Sequence, residues 1–459
     1  MEKTYFTRTI DSHLLEWKDS RTRKPLLLRG ARQVGKSSAI RHFAKSFEYF
    51  IEANFEKQPQ INEIFEADLP PREIAARLSI FYSVPVAPGK TLLFLDEIQS
   101  CPKAVHSLWF FYEDFPELHI VAAGSLLEFA LKNMTSFGVG RIRSLFMYPM
   151  SFDEFLAATG DNSWITAKRN ATFRNPLFDA LHGRLIERFR TYLMVGGMPE
   201  AVTAWVETGD YLQCLQVQDD IIQTYEDDFS KYAERIDPML LRQTLRSVAH
   251  QIGEKFVYSS VRGDYRVEKV KEALELLKDA GLIKPVIHTS ANGLPLGAEI
   301  NEKFIKYLFI DSGLSLRLLN MEQIGTSGIS QLILAGTATD LVNKGSITEM
   351  VAGLELLKYN APSRKHDLYY WQNIKRGGQA EVDYVIGYDM QVLPIEVKAG
   401  TSGSMKSLYR MMEEKHLPQG VRCSLENFGI VNNKVIILPL YALSNLYETS
   451  GIFDEPDKF

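Results

Sequence analysis

The stretch PLLLRGARQVGKSSAIRHFAK, Pro25 to Lys45, decides the fold of the N-terminal part of the chain. A short apolar run leads into a loop bounded by glycines and then into apolar residues at helical spacing, which predicts strand, loop and helix in that order. Within it the pattern G-x-x-x-x-G-K-S is complete from Gly30 to Ser37. Gly30 and Gly35 allow backbone angles and a close approach that a Cβ would block, so successive amides, from Gln33 and Val34 through to Ser38, can face phosphate oxygens at the start of a helix. Lys36 would reach the β- and γ-phosphates of a nucleotide, and Ser37 would ligate Mg²⁺. ATP and Mg²⁺ are therefore the expected cofactors.

Further on, TLLFLDEIQ reads as a buried parallel strand ending in Asp96 and Glu97. Asp96 is placed to hold Mg²⁺ and Glu97 to orient or deprotonate an attacking water, the two acidic tasks of a nucleotide-hydrolysing site. HIVAAGS is a second buried strand, ending at Ser125, whose hydroxyl is expected near the γ-phosphate or the water. GVGRIRS then supplies Arg141 and Arg143, cations of the kind that stabilise transferred phosphoryl charge, although a loop arginine is more often an ordinary surface residue.

The chain has 459 residues, 45% hydrophobic and 24% charged, enough for roughly three domains. Its first residues, MEKTYFTRTIDSHLLEWKDS, lack the continuous apolar core of a signal peptide, and later apolar stretches are cut by charge. A cytoplasmic location and no membrane contact are expected. Cys101, Cys214 and Cys423 lie far apart with no CxxC spacing, which argues against both a disulfide framework and a zinc site. A net charge of -5 gives no global attraction to nucleic acid. Short basic patches remain at Arg21 to Lys24, Ser363 to His366 and Lys375 to Gly378, each more often a solvated loop.

In the middle of the chain, Ser151 to Glu154 (SFDE) is a capping-box pattern that starts a helix. Helical spacing from Pro176 to about Tyr232 is broken at VGGMP, Val195 to Pro199, which reads equally well as a hinge or as a plain turn between helices. Residues 237–311 read helix, turn, helix and two strands, the order of a winged helix. In RVEKVKEALELLKDAG the residues Val267, Val270, Leu274 and Leu277 form the expected buried stripe, and Gly281 ends the helix. That helix mixes lysines with glutamates, which favours packing against protein over reading a DNA groove.

EVDYVIGYDMQVLPIEVKAG, Glu381 to Gly400, reads as a hairpin turning between Asp389 and Met390. Pairing then sets Asp383 opposite Glu396 and Glu381 opposite Lys398, while Val382, Tyr384, Ile386, Leu393, Ile395 and Val397 share the other face. A surface hairpin with a solvated charged face is the bland reading. Like charges directly opposite destabilise a sheet, however, and a divalent cation between them would remove the conflict.

GARQVGKS, LFLDEIQ, AAGS, GVGR, YPMSFDEFL, YLMVGGMPEAV, KYLFIDSGL and this hairpin together resemble the AAA+-like P-loop ATPases that carry a conserved C-terminal domain of unknown function. Glu349 on an apolar helix, Asp383 and Glu396-x-Lys398 further resemble the core of PD-(D/E)xK nucleases. That second resemblance implies Glu349, Asp383 and Glu396 as metal ligands, Lys398 as a catalytic lysine and DNA as a partner. The expected architecture is α/β: a P-loop parallel-sheet ATPase domain over 1–165, a helical lid over 166–236, a winged helix over 237–318 and a restriction-endonuclease-like α/β domain over 319–459. Two functions are open: an ATPase that drives a C-terminal nuclease, or a nucleotide-gated switch whose C-terminal domain is catalytically inactive and binds a protein partner or a second copy of the chain.

Overall fold

A computed structural model of the chain describes residues 4–124, 140–320, 344–373 and 380–448. It divides into two compact units, one formed by 1–149 with 279–281 and 361–365, the other by 150–278, 282–360 and 366–459.

The first unit is built on a five-stranded parallel sheet, whose strands lie side by side in the order second, third, fourth, first and fifth along the chain. Strand β1 is Leu26–Arg29, helix α1 Lys36–Ala44, β2 Tyr49–Asn54, β3 Thr91–Asp96, α2 Pro102–Asp114, β4 His119–Ala123 and β5 Arg143–Phe146. The strand, loop and helix expected around Gly30 to Ser37 are all present. Every residue of β3 and β4 is buried, as their unbroken apolar runs require of strands covered on both faces. Leu27, Ile51, Leu93, Leu95 and Ile120 belong to one core that Val105, Leu108 and Phe111 of α2 complete.

In the second unit the capping box forms: Ser151 Oγ accepts from the Glu154 amide, and Glu154 Oε2 accepts from the Ser151 amide at 2.9 Å. It opens helix α3, Phe152–Ala158. Helices α4, Asp179–Val195, and α5, Pro199–Thr208, flank the glycine pair of VGGMP. Asp311 Oδ2 accepts from the Gly197 amide at 2.6 Å, and the Gly197 carbonyl accepts from the Met150 amide at 2.6 Å. A Cβ on Gly196 would lie 2.2 Å from Asp311 Oδ1, and one on Gly197 2.2 Å from the Met150 carbonyl oxygen. The segment is thus pinned on both sides, which favours the turn over the hinge.

Helices α6, Pro238–His250, and α7, Val267–Asp279, precede β6, Ile283–Thr289, and β7, Ile300–Phe309, in the expected order. Val270, Leu274 and Leu277 are buried, joined by Ala273, whereas Val267 at the helix start is 41% exposed. The two strands do not form a separate wing. With helix α8 (Lys344–Lys358), β8 (Leu368–Gln372), β9 (Glu381–Tyr388), β10 (Gln391–Val397), helix α9 (Lys406–Glu414), β11 (Gly420–Ser424), β12 (Gly429–Val431) and β13 (Val435–Pro439), they build a unit whose eight strands run β12-β13-β11-β10-β9-β8-β6-β7. One sheet therefore crosses the expected 318/319 boundary, because β6 pairs in parallel with β8. A two-stranded ribbon is marginal alone, and joining a sheet satisfies an edge that would otherwise stay open.

The hairpin has the expected register: Gln391 lies opposite Tyr388 and Ile395 opposite Tyr384. Asp389 and Met390 have φ of 43° and 60°, the two positive angles of a tight hairpin turn that follows the strand twist. Its setting differs from the surface hairpin expected. β9 and β10 sit in the middle of the sheet, and α9 packs Leu408, Met411 and Met412 into the same core as Val382, Val385 and Val392.

Candidate functional site

Strand β1 delivers the loop and α1 carries its end, so Lys36 and Ser37 stand at the C-terminal edge of the parallel sheet, where open α/β sheets bind ligands. Gly30 has φ of 150°, and a Cβ there would fall 2.2 Å from the Met147 carbonyl oxygen; Gly35 has φ of 99° and Gln33 of 64°. The loop is therefore fixed in a conformation that only part of its sequence tolerates without strain. Lys36 is buried, and its Nζ donates to the carbonyls of Gly30 at 2.9 Å and Ala31 at 2.8 Å. Burial pulls its pKa down to about 8, against the opposing pull of Glu97 and Asp96.

Ser37 Oγ lies 3.2 and 3.3 Å from the two carboxylate oxygens of Asp96. Asn54, at the end of β2 and in register with Asp96, donates to Asp96 Oδ2 at 2.9 Å. Burial, with the neighbouring Glu97, raises the pKa of Asp96, while the hydrogen bonds from Asn54 and Ser37 oppose the rise. A serine hydroxyl converging on a buried carboxylate beside a phosphate loop fits a hard divalent cation with oxygen ligands. Mg²⁺ bound there would neutralise charge on a nucleotide's terminal phosphates. Glu97 has φ of 50°, a strained angle for a non-glycine residue, and its Oε2 accepts from Gln99 Nε2 at 2.7 Å. Asn54 and Gln99 were not apparent from the sequence, since a strand-end Asn and a Gln near a Glu are too common to signal a site.

Residues 22–156 match the sequence family described as an AAA domain. The chain carries an AAA+-like P-loop ATPase domain. Beyond it, residues 186–324 and 344–443 match two domains of unknown function, DUF8612 and DUF4143. No curated relative matches the chain. Among solved structures, it is similar to the Walker-type ATPase PABY2304 of Pyrococcus abyssi (17% identity, 69% of this chain and 97% of that one, TM-score 0.46). It is also similar to the Aeropyrum pernix ORC1 protein in complex with DNA (13%, 72% and 95%, TM-score 0.29). A third is a point mutant of RuvB from Thermotoga maritima (16%, 65% and 93%, TM-score 0.27). These likenesses are too distant to assign a role to any residue.

In the AAA domain, Ser125 lies outside the described residues. Arg141 Nε donates to Glu113 Oε1 at 2.6 Å and its guanidinium stacks 4.6 Å from the Trp109 ring centre, so both its partners are on α2 rather than in the phosphate loop. Arg143 is exposed. Held in this way, Arg141 gives a plain expectation: Arg141→Ala leaves ATP turnover unchanged in dilute protein, and any loss appears only at concentrations where chains associate. Turnover measured against protein concentration checks this; a loss independent of concentration would return Arg141 to its own chain's site.

In the second unit, β9, β10 with the residue after it, and α8 bring Glu349, Asp383, Glu396 and Lys398 into one neighbourhood. The pairing within it is not the one expected. Lys398 Nζ donates to Glu396 Oε1 at 2.5 Å rather than bridging to Glu381, and the Val397 amide donates to Asp383 Oδ2 at 2.6 Å. Glu381 instead meets Lys306 of β7 at 2.5 Å, and Lys306 also meets Glu349 Oε1 at 2.9 Å. Burial and the Asp383 charge raise the pKa of both Glu349 and Glu396. Burial acts to lower Lys306, but Glu349, Glu381 and Asp383 outweigh it and the net shift is upward. The repulsion read from the sequence is thus relieved by two ammonium groups and an amide. Among the described residues, no group of three or more His, Cys, Asp or Glu side chains is arranged to hold a metal ion. The described helices also include none long and apolar enough to cross a membrane.

Proposed function

We propose that the chain is an ATP-hydrolysing switch in which the AAA domain's nucleotide state controls what the C-terminal unit binds. The carrying observation is the convergence of Lys36, Ser37, Asp96 and Glu97 at one sheet edge. In this reading the amides of the loop from Gly30 to Ser38, including Gln33, Val34 and Gly35, hold the phosphates. Lys36 supplies charge to them, Ser37 and Asp96 hold Mg²⁺, and Glu97 orients the attacking water, with its strained backbone fixing the carboxylate's direction. Ser125 and Arg141 are secondary candidates for sensing the γ-phosphate and, from a neighbouring subunit, for stabilising charge.

The C-terminal unit is read as a nuclease-like fold that has lost its chemistry and serves to bind a protein partner. Lys306 among the carboxylates supports this over the alternative of a DNA-cutting site built on Glu349, Asp383, Glu396 and Lys398. The register that sets Asp383 beside Glu396 is what that alternative has in its favour. Parallel assays of the purified full chain with Mg²⁺ and ATP separate them. Mg²⁺-dependent phosphate release with no cleavage of single- or double-stranded DNA is expected. DNA cleavage lost in both Asp383→Asn and Lys398→Ala would restore the nuclease, and no phosphate release would remove the switch.

A further inference from the structure

The side chains expected to grip a metal ion are closed around a lysine. Lys306, on β7, is 1% exposed, and a buried ammonium persists only where carboxylates and hydrogen bonds replace its lost hydration. Its Nζ stands 2.9 Å from Glu349 Oε1 and 2.5 Å from Glu381 Oε1, with the Tyr370 ring centre 5.0 Å away. The helix that carries Glu349 is fixed in turn by Tyr384, whose hydroxyl donates to the Glu349 carbonyl at 2.7 Å.

We infer that the Lys306 ammonium is the built-in cation of this carboxylate group and takes the place of a divalent ion, so that the C-terminal unit works without metal. The inference rests on reading Glu349, Asp383 and Glu396 as a nuclease-like ligand set. Mg²⁺ demands near-octahedral oxygens at about 2.1 Å; among the described residues no three or more acidic side chains are arranged to supply them, and Lys306 Nζ already takes Glu349 Oε1. In the other two carboxylates one oxygen is engaged, Asp383 Oδ2 by the Val397 amide and Glu396 Oε1 by Lys398, while Glu396 Oε2 is buried with no hydrogen-bond partner among the described residues. Four carboxylates, Glu349, Glu381, Asp383 and Glu396, face two ammonium groups. Removing Lys306 leaves Lys398 alone against all four, and the resulting negative pocket has the charge and oxygen ligands of a cation site.

The sequence hides this residue. Lys306 lies in KYLFIDSGL, well before the hairpin, in a segment that reads as the wing of a different domain. It reaches the carboxylates only because β6 and β7 extend the same sheet.

The test uses the nucleotide-free full chain after treatment with a chelator, titrated with Mn²⁺ and followed by electron paramagnetic resonance and by thermal unfolding. The wild type is expected to show no Mn²⁺ binding, and no Mn²⁺-dependent shift in Tm, that Asp383→Asn removes. Lys306→Gln and Lys306→Met are expected to melt lower than the wild type, to gain a bound Mn²⁺ that raises their Tm, and to lose that gain when Asp383→Asn is added. Wild-type Mn²⁺ binding abolished by Asp383→Asn would overturn the inference, as would folded Lys306 variants with no gain. If the variants do not fold, the wild-type titration decides alone. Neither readout involves ATP turnover, so failure here leaves the reading of the AAA domain standing.

Discussion

Lys36→Ala is expected to abolish tight ATP binding, and Glu97→Gln to keep the nucleotide bound but stop its hydrolysis. The two effects separate because the side chains act at different stages. In the proposed reading Lys36 meets the phosphates in the ground state, and charge-assisted hydrogen bonds of this kind contribute about 1.5–3 kcal/mol each, or roughly ten- to a hundredfold in affinity. Glu97, in the same reading, acts on the water as the transition state forms, and removing a positioned base typically costs about 10²–10⁴ in rate. Binding of a fluorescent ATP analogue and phosphate release measure the two separately. Equal phosphate release by wild type and Glu97→Gln would sink the assignment.

The lowered pKa of Lys36 adds a sign that can be checked. With the group at about 8 in the folded chain, its charge is partly lost just above that pH, and bound phosphates restore it. ATP binding above pH 8 is therefore expected to take up a proton, and affinity to fall as pH rises. Calorimetry in buffers of different ionisation enthalpy measures the uptake. The same shift means that the unfolded chain holds more protons at this site between about 8 and the ordinary 10.5, so its contribution to stability rises with pH across that window.

Glu355→Ala is expected to destabilise the second unit by about 3–5 kcal/mol, the usual cost of removing one partner from a buried ion pair. Glu355, on α8, is 1% exposed. Its Oε2 accepts from the Phe152 amide at 2.9 Å, and its Oε1 accepts from the Tyr192 hydroxyl at 2.7 Å and from Lys358 Nζ at 3.1 Å. Truncation leaves a buried ammonium without its counter-ion and frees an amide at the start of α3. Lys358 would keep only its bonds to the Tyr192 hydroxyl, at 2.6 Å, and to the Met150 carbonyl, at 3.1 Å. Glu355→Gln, which preserves acceptor and shape but not charge, is expected to cost less. Denaturant unfolding of the three proteins measures this, and a Glu355→Ala chain as stable as the wild type would show that the network contributes nothing.

Where neighbours in sequence create the feature, the sequence was enough. The phosphate loop is a run of eight residues, and Gly30 and Gly35 fix its backbone locally. The apolar runs before Asp96 and Ser125 identify parallel strands because burial on both faces leaves no polar alternation. The SFDE box closes over four residues, and the hairpin register followed from its alternation and a two-residue turn at Asp389 and Met390. Features made by partners far apart were decided only by the tertiary structure. Lys306 is separated from Glu349 by 43 residues and from Glu381 by 75, and Phe152 from Glu355 by 203. Local pattern carries no information on which strands become neighbours, and so the wing strands were read as a separate domain and the hairpin as a surface feature. Once β6 paired with β8, the hairpin became the middle of a sheet and a lysine from β7 came among its carboxylates. The charge pattern of the hairpin was legible as a conflict in need of a cation, but which cation relieves it depended on strand pairing, because only that brings an ammonium within hydrogen-bond reach.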